Sequence, residues 1–238
     1  MRIIIKIILI LLLFLQTSFA AYIHEKFDVI LQSYVINGLV DYKSLLNNRK
    51  QLDDYLLLLS SIQESEYESW STDSKLAFLI NLYNAATLQL IIDNYPVKSI
   101  KDIGNIFSGP WDKKVVNLFG KKISLDNLEH DIIRKTFSEP RIHFALVCAA
   151  KGCPPLRYEA YAGEKLDTQL TEQVKGYLQS SYGMVVDYDK KIVYLSSIFK
   201  WYNEDFNSID DFIKKYSSVD INRFSQKWIK YDWSLNEK

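Results

Sequence analysis

The sequence predicts an α+β fold: a helix-rich single domain with a small, mostly antiparallel sheet made of short hairpins. Three observations predict it. A long, almost wholly apolar stretch runs from Ser71 to Asn94, with capping residues at its start and Pro96 just beyond its end. Two pairs of short alternating segments fold back across turn residues. Strands and helices do not alternate in the βαβ order that builds a parallel sheet.

The elements follow in order. Residues 24–36 read as a helix stopped by Asn37-Gly38. Between Lys50 and Ile62, the residues Leu52, Tyr55, Leu56 and Leu59 fall at the i, i+3, i+4, i+7 spacing of a buried helix stripe. Ser71-Thr72-Asp73 starts the clearest helix, and its apolar interior marks it as central. Val115, Val116 and Leu118 lead through Gly120-Lys121-Lys122 to Ile123, which reads as a hairpin. Ser124 caps a helix through Phe137, with Asp126 and Glu129 in its first turns, where negative charge suits the dipole. Arg141 to Cys148 alternates and is rich in strand formers, so a strand is expected there. Gly163 to Tyr182 reads as a long amphipathic helix. Met184–Tyr188 and Ile192–Leu195 form a second hairpin across Asp189-Lys190-Lys191. Ser196-Ser197 caps a short helix through Phe206, and Ile209 to Tyr216 makes another.

The composition narrows the class. With 29 Lys+Arg against 29 Asp+Glu, the net charge is zero, which argues against a nucleic-acid binder. Only 8 glycines leave little material for a phosphate-cradling loop, whereas 16 Tyr, 12 Phe and 5 Trp can fill a large core. Residues 1–20 read as a cleaved export signal: Arg2 and Lys6, an unbroken apolar run from Ile7 to Leu15, then Ser18 and Ala20 at the positions a signal peptidase needs. Cleavage removes two bases and no acid, so the mature chain carries a slight acidic excess. Nine apolar residues fall short of the ~20 that span a bilayer, and no later segment is read as a membrane span. Residues 21–238 contain no linker or repeat and are expected to form one exported domain, periplasmic or secreted.

The residues that carry chemistry are few. His24 lies close to the expected mature terminus. The other two histidines and both cysteines gather between Asn127 and Pro155: Glu129-His130, His143, Cys148 and Cys153. Three readings compete. Cys148 and Cys153 suit a structural disulfide in an oxidising compartment. Alternatively, Cys153 is a nucleophile: Pro154-Pro155 favours a helix start there, and backbone N–H groups with the helix dipole lower a thiol's pKa. His130 or His143 then serves as base, and Glu129, Asp126 or Asn81 as orienter. The third reading is a zinc site from His143, Cys148 and Cys153, against which C-x₄-C spacing and strand alternation both count. Asn81 and Asn84 share one face of the apolar helix and need hydrogen-bond partners, as a packing network or to orient a catalytic His. Trp201-Tyr202 with Glu204-Asp205 is a further candidate cleft lining.

Taken together these segments resemble a known family, domain of unknown function 547. The resemblance is carried by Ala77–Ala85, by Ser124–His130 with Ile133-Arg134, by Arg141–Cys148 with Gly152-Cys153-Pro154, and by Tyr194–Ser196 with Phe199–Tyr202 through Asp205-Phe206. It runs from about Gly38 to Tyr216, departing from the family at Leu79, where a Trp is usual. It implies a shared fold and brings no activity, substrate or cofactor. It also puts Asn81, Asn84, Glu129, His130, His143, Cys148 and Cys153 at motif positions. The expectation is an exported protein acting as a cysteine-dependent hydrolase or acyl transferase on a small molecule or peptide. Cys153 is then the nucleophile, His130 the base, Glu129 or Asn81 the orienter, and His143 a substrate or oxyanion contact. The alternatives are a non-enzymatic binding protein with a Cys148–Cys153 bridge, and a zinc-binding protein. No cofactor or resident metal is assigned.

Overall fold

The computed structural model describes residues 23–105 and 108–238; the expected export signal lies outside them. Helix α1 covers 23–34 and runs into a two-residue hairpin, β1 (Val35–Ile36) and β2 (Leu39–Val40). Asn37 and Gly38 at its tip both have positive φ, 53° and 79°, as such a tight turn requires. Gly38 is also held by space, since a Cβ there would lie 2.3 Å from Pro155 Cβ. Short α2 (Tyr42–Asn47) starts on the Asp41 side chain, which accepts the Ser44 N–H, and α3 (Lys50–Ser61) buries Leu52, Tyr55 and Leu59, the stripe read from the sequence. Short α4 (Glu64–Glu68) follows.

The central element is α5 (Thr72–Asn94), capped by Ser71, whose hydroxyl accepts the Ser74 N–H. It is buried on every side from Leu76 to Leu88, so it has no solvent face to mark it as amphipathic. By length and composition alone α5 is long and apolar enough to cross a bilayer, yet 89% of its most apolar window is buried inside the protein. It packs against α2, α3, the helix bearing Glu129, and the strand Val116–Leu118.

Strands β3 (Val116–Leu118) and β4 (Lys121–Ile123) form the expected hairpin. Helix α6 follows Ser124, whose hydroxyl accepts the Asn127 N–H. It is π-helical over Asn127–Ile133 and α-helical over Arg134–Thr136; such π segments are rare and concentrate at functional sites. After α7 (Leu166–Gln179) come the hairpin β5 (Met184–Asp187) and β6 (Ile192–Leu195), then α8 (Ser197–Trp201) and α9 (Ile209–Ser217). An unexpected strand, β7 (Ser225–Trp228), pairs parallel to β6. All four of its residues are exposed, so it carries no alternation for a reader of the sequence to find. The fold is α+β, with a large core around α5 and a second, aromatic cluster in which Phe144, Phe199, Phe206 and Phe212 pack between α7, α8 and α9.

The strand expected over Arg141–Cys148 is not formed. Pro140–Phe144 is a 3₁₀ helix with Pro at its first turn, and Glu139 accepts the Arg141 N–H at its start. Every residue from Ile142 to Val147 is buried, so the alternation had no solvent side. The ladder partner a strand would need is replaced by one side chain: Asn84 Nδ2 donates to Ala145 O (3.0 Å), and Asn84 Oδ1 accepts the Val147 N–H (3.0 Å).

Candidate active site

A cavity of about 260 Å³ lies where α6, α8, the 146–154 segment and the C-terminal residues meet. Glu129, His130, His143, Cys148 and Cys153 all line it; Asn81 does not. Asn81 instead clamps a distant loop, donating to Tyr161 O (2.8 Å) and accepting the Tyr161 N–H (2.9 Å).

Helix α6 supplies three groups from one face. Asp126, Glu129 and His130 stand at i, i+3 and i+4, and Arg134 continues the stripe one turn on. Arg134 Nε and Nη2 grip both oxygens of Asp205 (2.6 and 2.8 Å), and Nη2 also reaches Glu204 (2.7 Å). Its Nη1 lies 2.7 Å from His130 Nδ1. A guanidinium only donates, so His130 Nδ1 accepts and its proton sits on Nε2, 3.6 Å from Asp126. Neither nitrogen of His130 offers a free lone pair to the cavity.

His143 is different. Its Nε2 lies 2.6 Å from Asp205 Oδ2. Burial alone would raise the Asp205 carboxyl, but hydrogen bonds from Arg134 and His143 hold it below the ordinary range, so it is an acceptor. Nε2 therefore carries the proton and Nδ1 is a bare lone pair, buried and without a partner. Burial pushes the imidazole pKa down to about 4, against the pull of Asp205, so the ring is neutral at pH 7. Stacking on Tyr202, with centroids 3.8 Å apart, fixes its plane.

Both cysteines are free thiols, and the turn joining them gives them opposite surroundings. No helix starts after Cys153: residues 154–162 are irregular, so the expected help from a helix dipole is missing. Cys153 is buried, its sulfur accepts the Cys148 N–H (3.0 Å), and burial pushes its thiol well up. Cys148 is partly exposed, and its thiol is lowered, first by a hydrogen bond from the Cys153 thiol, then by the Tyr231 hydroxyl 3.1 Å away, with burial opposing. The C-terminal segment holds this turn. Lys151 N–H donates to Ser234 O, Gly152 N–H to Asp232 O, and Asn236 N–H to Ala149 O. Gly152 permits that approach, because a Cβ there would come 2.8 Å from Asp232 N.

Glu129 is buried, and Tyr83 OH donates to it (3.0 Å). Among the described residues, no group of three or more His, Cys, Asp or Glu is arranged to hold a metal ion, so the zinc reading has no ligand set. Sequence reasoning missed Tyr83, Trp111, Tyr231 and Trp233 in the lining and Asp205 as the partner of His143. One signal was available: three of the 5 tryptophans, Trp111, Trp201 and Trp233, line this one cavity.

Fold and cavity together define an α+β protein with a cysteine–histidine–carboxylate constellation in an aromatic-walled pocket. The resemblance read from the sequence holds: the model of the family described as "Protein of unknown function, DUF547" matches residues 67–178, a little under half of the chain. That segment contains Glu129, His130, His143 and both cysteines, while Tyr202, Asp205, Tyr231 and Trp233 lie beyond it. No curated protein and no solved structure matches the chain.

Proposed function

We propose that the protein is a cysteine-dependent acyl transferase or hydrolase in which Cys148 is the nucleophile, His143 the general base and Asp205 its orienting partner. The single observation that carries this is the bare, unpartnered Nδ1 of a neutral His143, in the cavity that holds the lowered Cys148 thiol. The nucleophile thus moves from Cys153, whose thiol is raised, to Cys148, and the base from His130, whose nitrogens are engaged, to His143.

In the forward step Cys148 Sγ attacks the carbonyl carbon of an ester or amide while His143 Nδ1 takes the thiol proton. Asp205 stabilises the imidazolium through Nε2–H. The C–O or C–N bond breaks, the leaving group takes the proton from Nδ1, and a thioester remains on Cys148. Water or an amine then gives its proton to Nδ1, attacks the thioester and releases the sulfur as a thiol. Cys153 and Tyr231 are positioning residues that stabilise the thiolate by hydrogen bonding.

The test is a reactive acyl probe, such as a p-nitrophenyl ester, with intact mass read after acid quenching. An acyl adduct on Cys148 that is lost in Cys148→Ser and slowed at least 100-fold in His143→Ala supports the reading. Acylation that persists in His143→Ala at the parent rate overturns it.

One observation favours a second reading. The Cys148 N–H donates to the Cys153 sulfur (3.0 Å), and the pairing of one lowered and one raised thiol in this turn is the asymmetry of a dithiol that exchanges with a protein disulfide. In that exchange Cys148 attacks the partner's disulfide, Cys153 resolves the mixed disulfide, and the partner leaves as a dithiol. Trapping a Cys148 mixed disulfide in Cys153→Ala, with no acyl adduct in the parent, selects it.

We also propose that the chain is exported. The basic start, the Ile7–Leu15 run and Ser18/Ala20 support this. N-terminal sequencing of the expressed protein tests it: a mature start at Ala21 supports export, and retention of Met1 in the cytosol overturns it.

A further inference from the structure

We infer that the cavity binds an alkylammonium group, and that the substrate of the proposed acyl transfer carries that cation. The inference rests on the acyl-transfer reading only for the identity of the cation's carrier; the binding site itself stands on two independent observations.

The first is an unbalanced buried charge. Glu129 is 7% exposed and accepts a hydrogen bond from the Tyr83 hydroxyl, yet it forms no ion pair among the described residues. Asp126 adds a second carboxylate to the lining, and no Lys or Arg among the described residues lines the cavity. The Arg134 guanidinium, on the same helix, is already matched by Asp205 and Glu204. Buried carboxylates are ordinarily paired with a cation, because neutral donors offset only part of the lost solvation. Glu129 lacks that partner among the described residues and lines an open cavity.

The second is the wall. Trp111, Trp201, Tyr231 and Trp233 form one continuous aromatic surface, with ring centroids 4.6–5.9 Å apart. Ring faces attract cations through their quadrupole, and tryptophan does so most strongly. The protein already uses this wall in that way: the Lys101 ammonium sits 3.7 Å from the centroid of Trp233, although Lys101 is not part of the lining. Trp201 is 46% exposed, far more than a packing role would leave, so its ring is open to solvent and to a ligand. Aromatic faces and a buried carboxylate in the wall of one cavity are complementary to an organic cation. A neutral sugar would use the rings but would leave Glu129 unbalanced.

The experiment is a titration of the purified protein with choline and with its uncharged isostere 3,3-dimethylbutan-1-ol, followed by calorimetry and by tryptophan fluorescence. Choline is expected to bind at least tenfold more tightly and to change the tryptophan emission. Glu129→Gln keeps an acceptor for Tyr83 and is expected to abolish that preference; Trp201→Ala, a change at an exposed position, is expected to weaken choline at least threefold. Equal binding of the two compounds, binding of neither, or a preference that survives both substitutions overturns the inference. Cys148→Ser separates it from the catalytic reading. Choline preference in a parent protein that forms no acyl adduct, and kept in Cys148→Ser, leaves the cation site standing and removes the acyl transfer. An acyl adduct without any choline preference does the reverse.

Discussion

The backbone N–H of Cys148 donates to the sulfur of Cys153 at 3.0 Å, and the Cys153 thiol lies 3.9 Å from the Leu146 carbonyl. Five residues apart in one turn, the two thiols differ: burial raises that of Cys153, while hydrogen bonding lowers that of the partly exposed Cys148. Cys148 is therefore expected to react with iodoacetamide first and Cys153 only on unfolding. Replacing Cys153 by Ala removes the donor and moves the alkylation profile of Cys148 to higher pH. Each unit of displacement slows labelling roughly tenfold at a fixed pH below the thiol pKa. Peptide mass mapping across a pH series measures it, and an unmoved profile would mean that the contact between the sulfurs does not tune Cys148.

Stability is expected to fall on acidification through a defined window. His143 is buried and neutral, with its pKa lowered from 6.5 to about 4. Between those values the unfolded chain binds the proton and the folded chain does not, so protonation favours unfolding. The contribution is complete above about pH 6.5 and is lost as the pH falls toward 4, on the order of 3 kcal/mol at most. His24, buried against Tyr55 and lowered to about 3, adds in the same direction and over the same upper limit. Asp205 is held below its ordinary value, so its own loss begins only at lower pH. Urea unfolding of the parent and of His143→Gln between pH 4 and 7 checks this; the substitution is expected to flatten the slope.

Asn84 is expected to be a stability residue whose loss also disturbs the cysteine turn. Asn84→Ala leaves the Ala145 carbonyl and the Val147 N–H buried and unpaired, at a cost of about 2–4 kcal/mol. Asn84→Asp still accepts from Val147 but cannot donate to Ala145, and should fall between. Thermal unfolding gives the ranking, and faster Cys153 alkylation in Asn84→Ala shows that the turn has loosened.

The C-terminal residues are expected to act at the site from a distance. Asn236 Oδ1 accepts the buried Tyr42 hydroxyl at 2.7 Å, and its backbone joins Val40 to Ala149. Asn236→Ala orphans the Tyr42 hydroxyl and should cost about 1–3 kcal/mol. Because the same segment carries Tyr231 and Trp233 into the cavity, any choline binding should weaken in parallel. Unchanged stability in this variant would show that the segment is not anchored through Asn236.

Much of this molecule was legible in one dimension. Ser71 and Ser124 cap the helices they were expected to cap, and the β5–β6 hairpin falls where alternation and turn residues put it, because these are local decisions made within one turn or one hairpin. Sequence proximity also singled out Glu129, His130, His143, Cys148 and Cys153, which do converge. The Arg141–Cys148 segment was misread because period-two alternation signals a strand only when one face meets water, and here both are buried.

The sequence by itself thus determined the helices, the hairpins and the short inventory of groups able to do chemistry, since local propensity and residue type set all of these. The tertiary structure alone decided which thiol is lowered, which imidazole keeps a free lone pair and which carboxylate lacks a counter-charge. Those properties depend on Arg134, Asp205, Tyr231 and Trp233, which lie between 4 and 103 residues away from His130 along the chain. Their effect on a pKa or on a ligand falls off with distance through space, and distance through space is a property only of the folded chain.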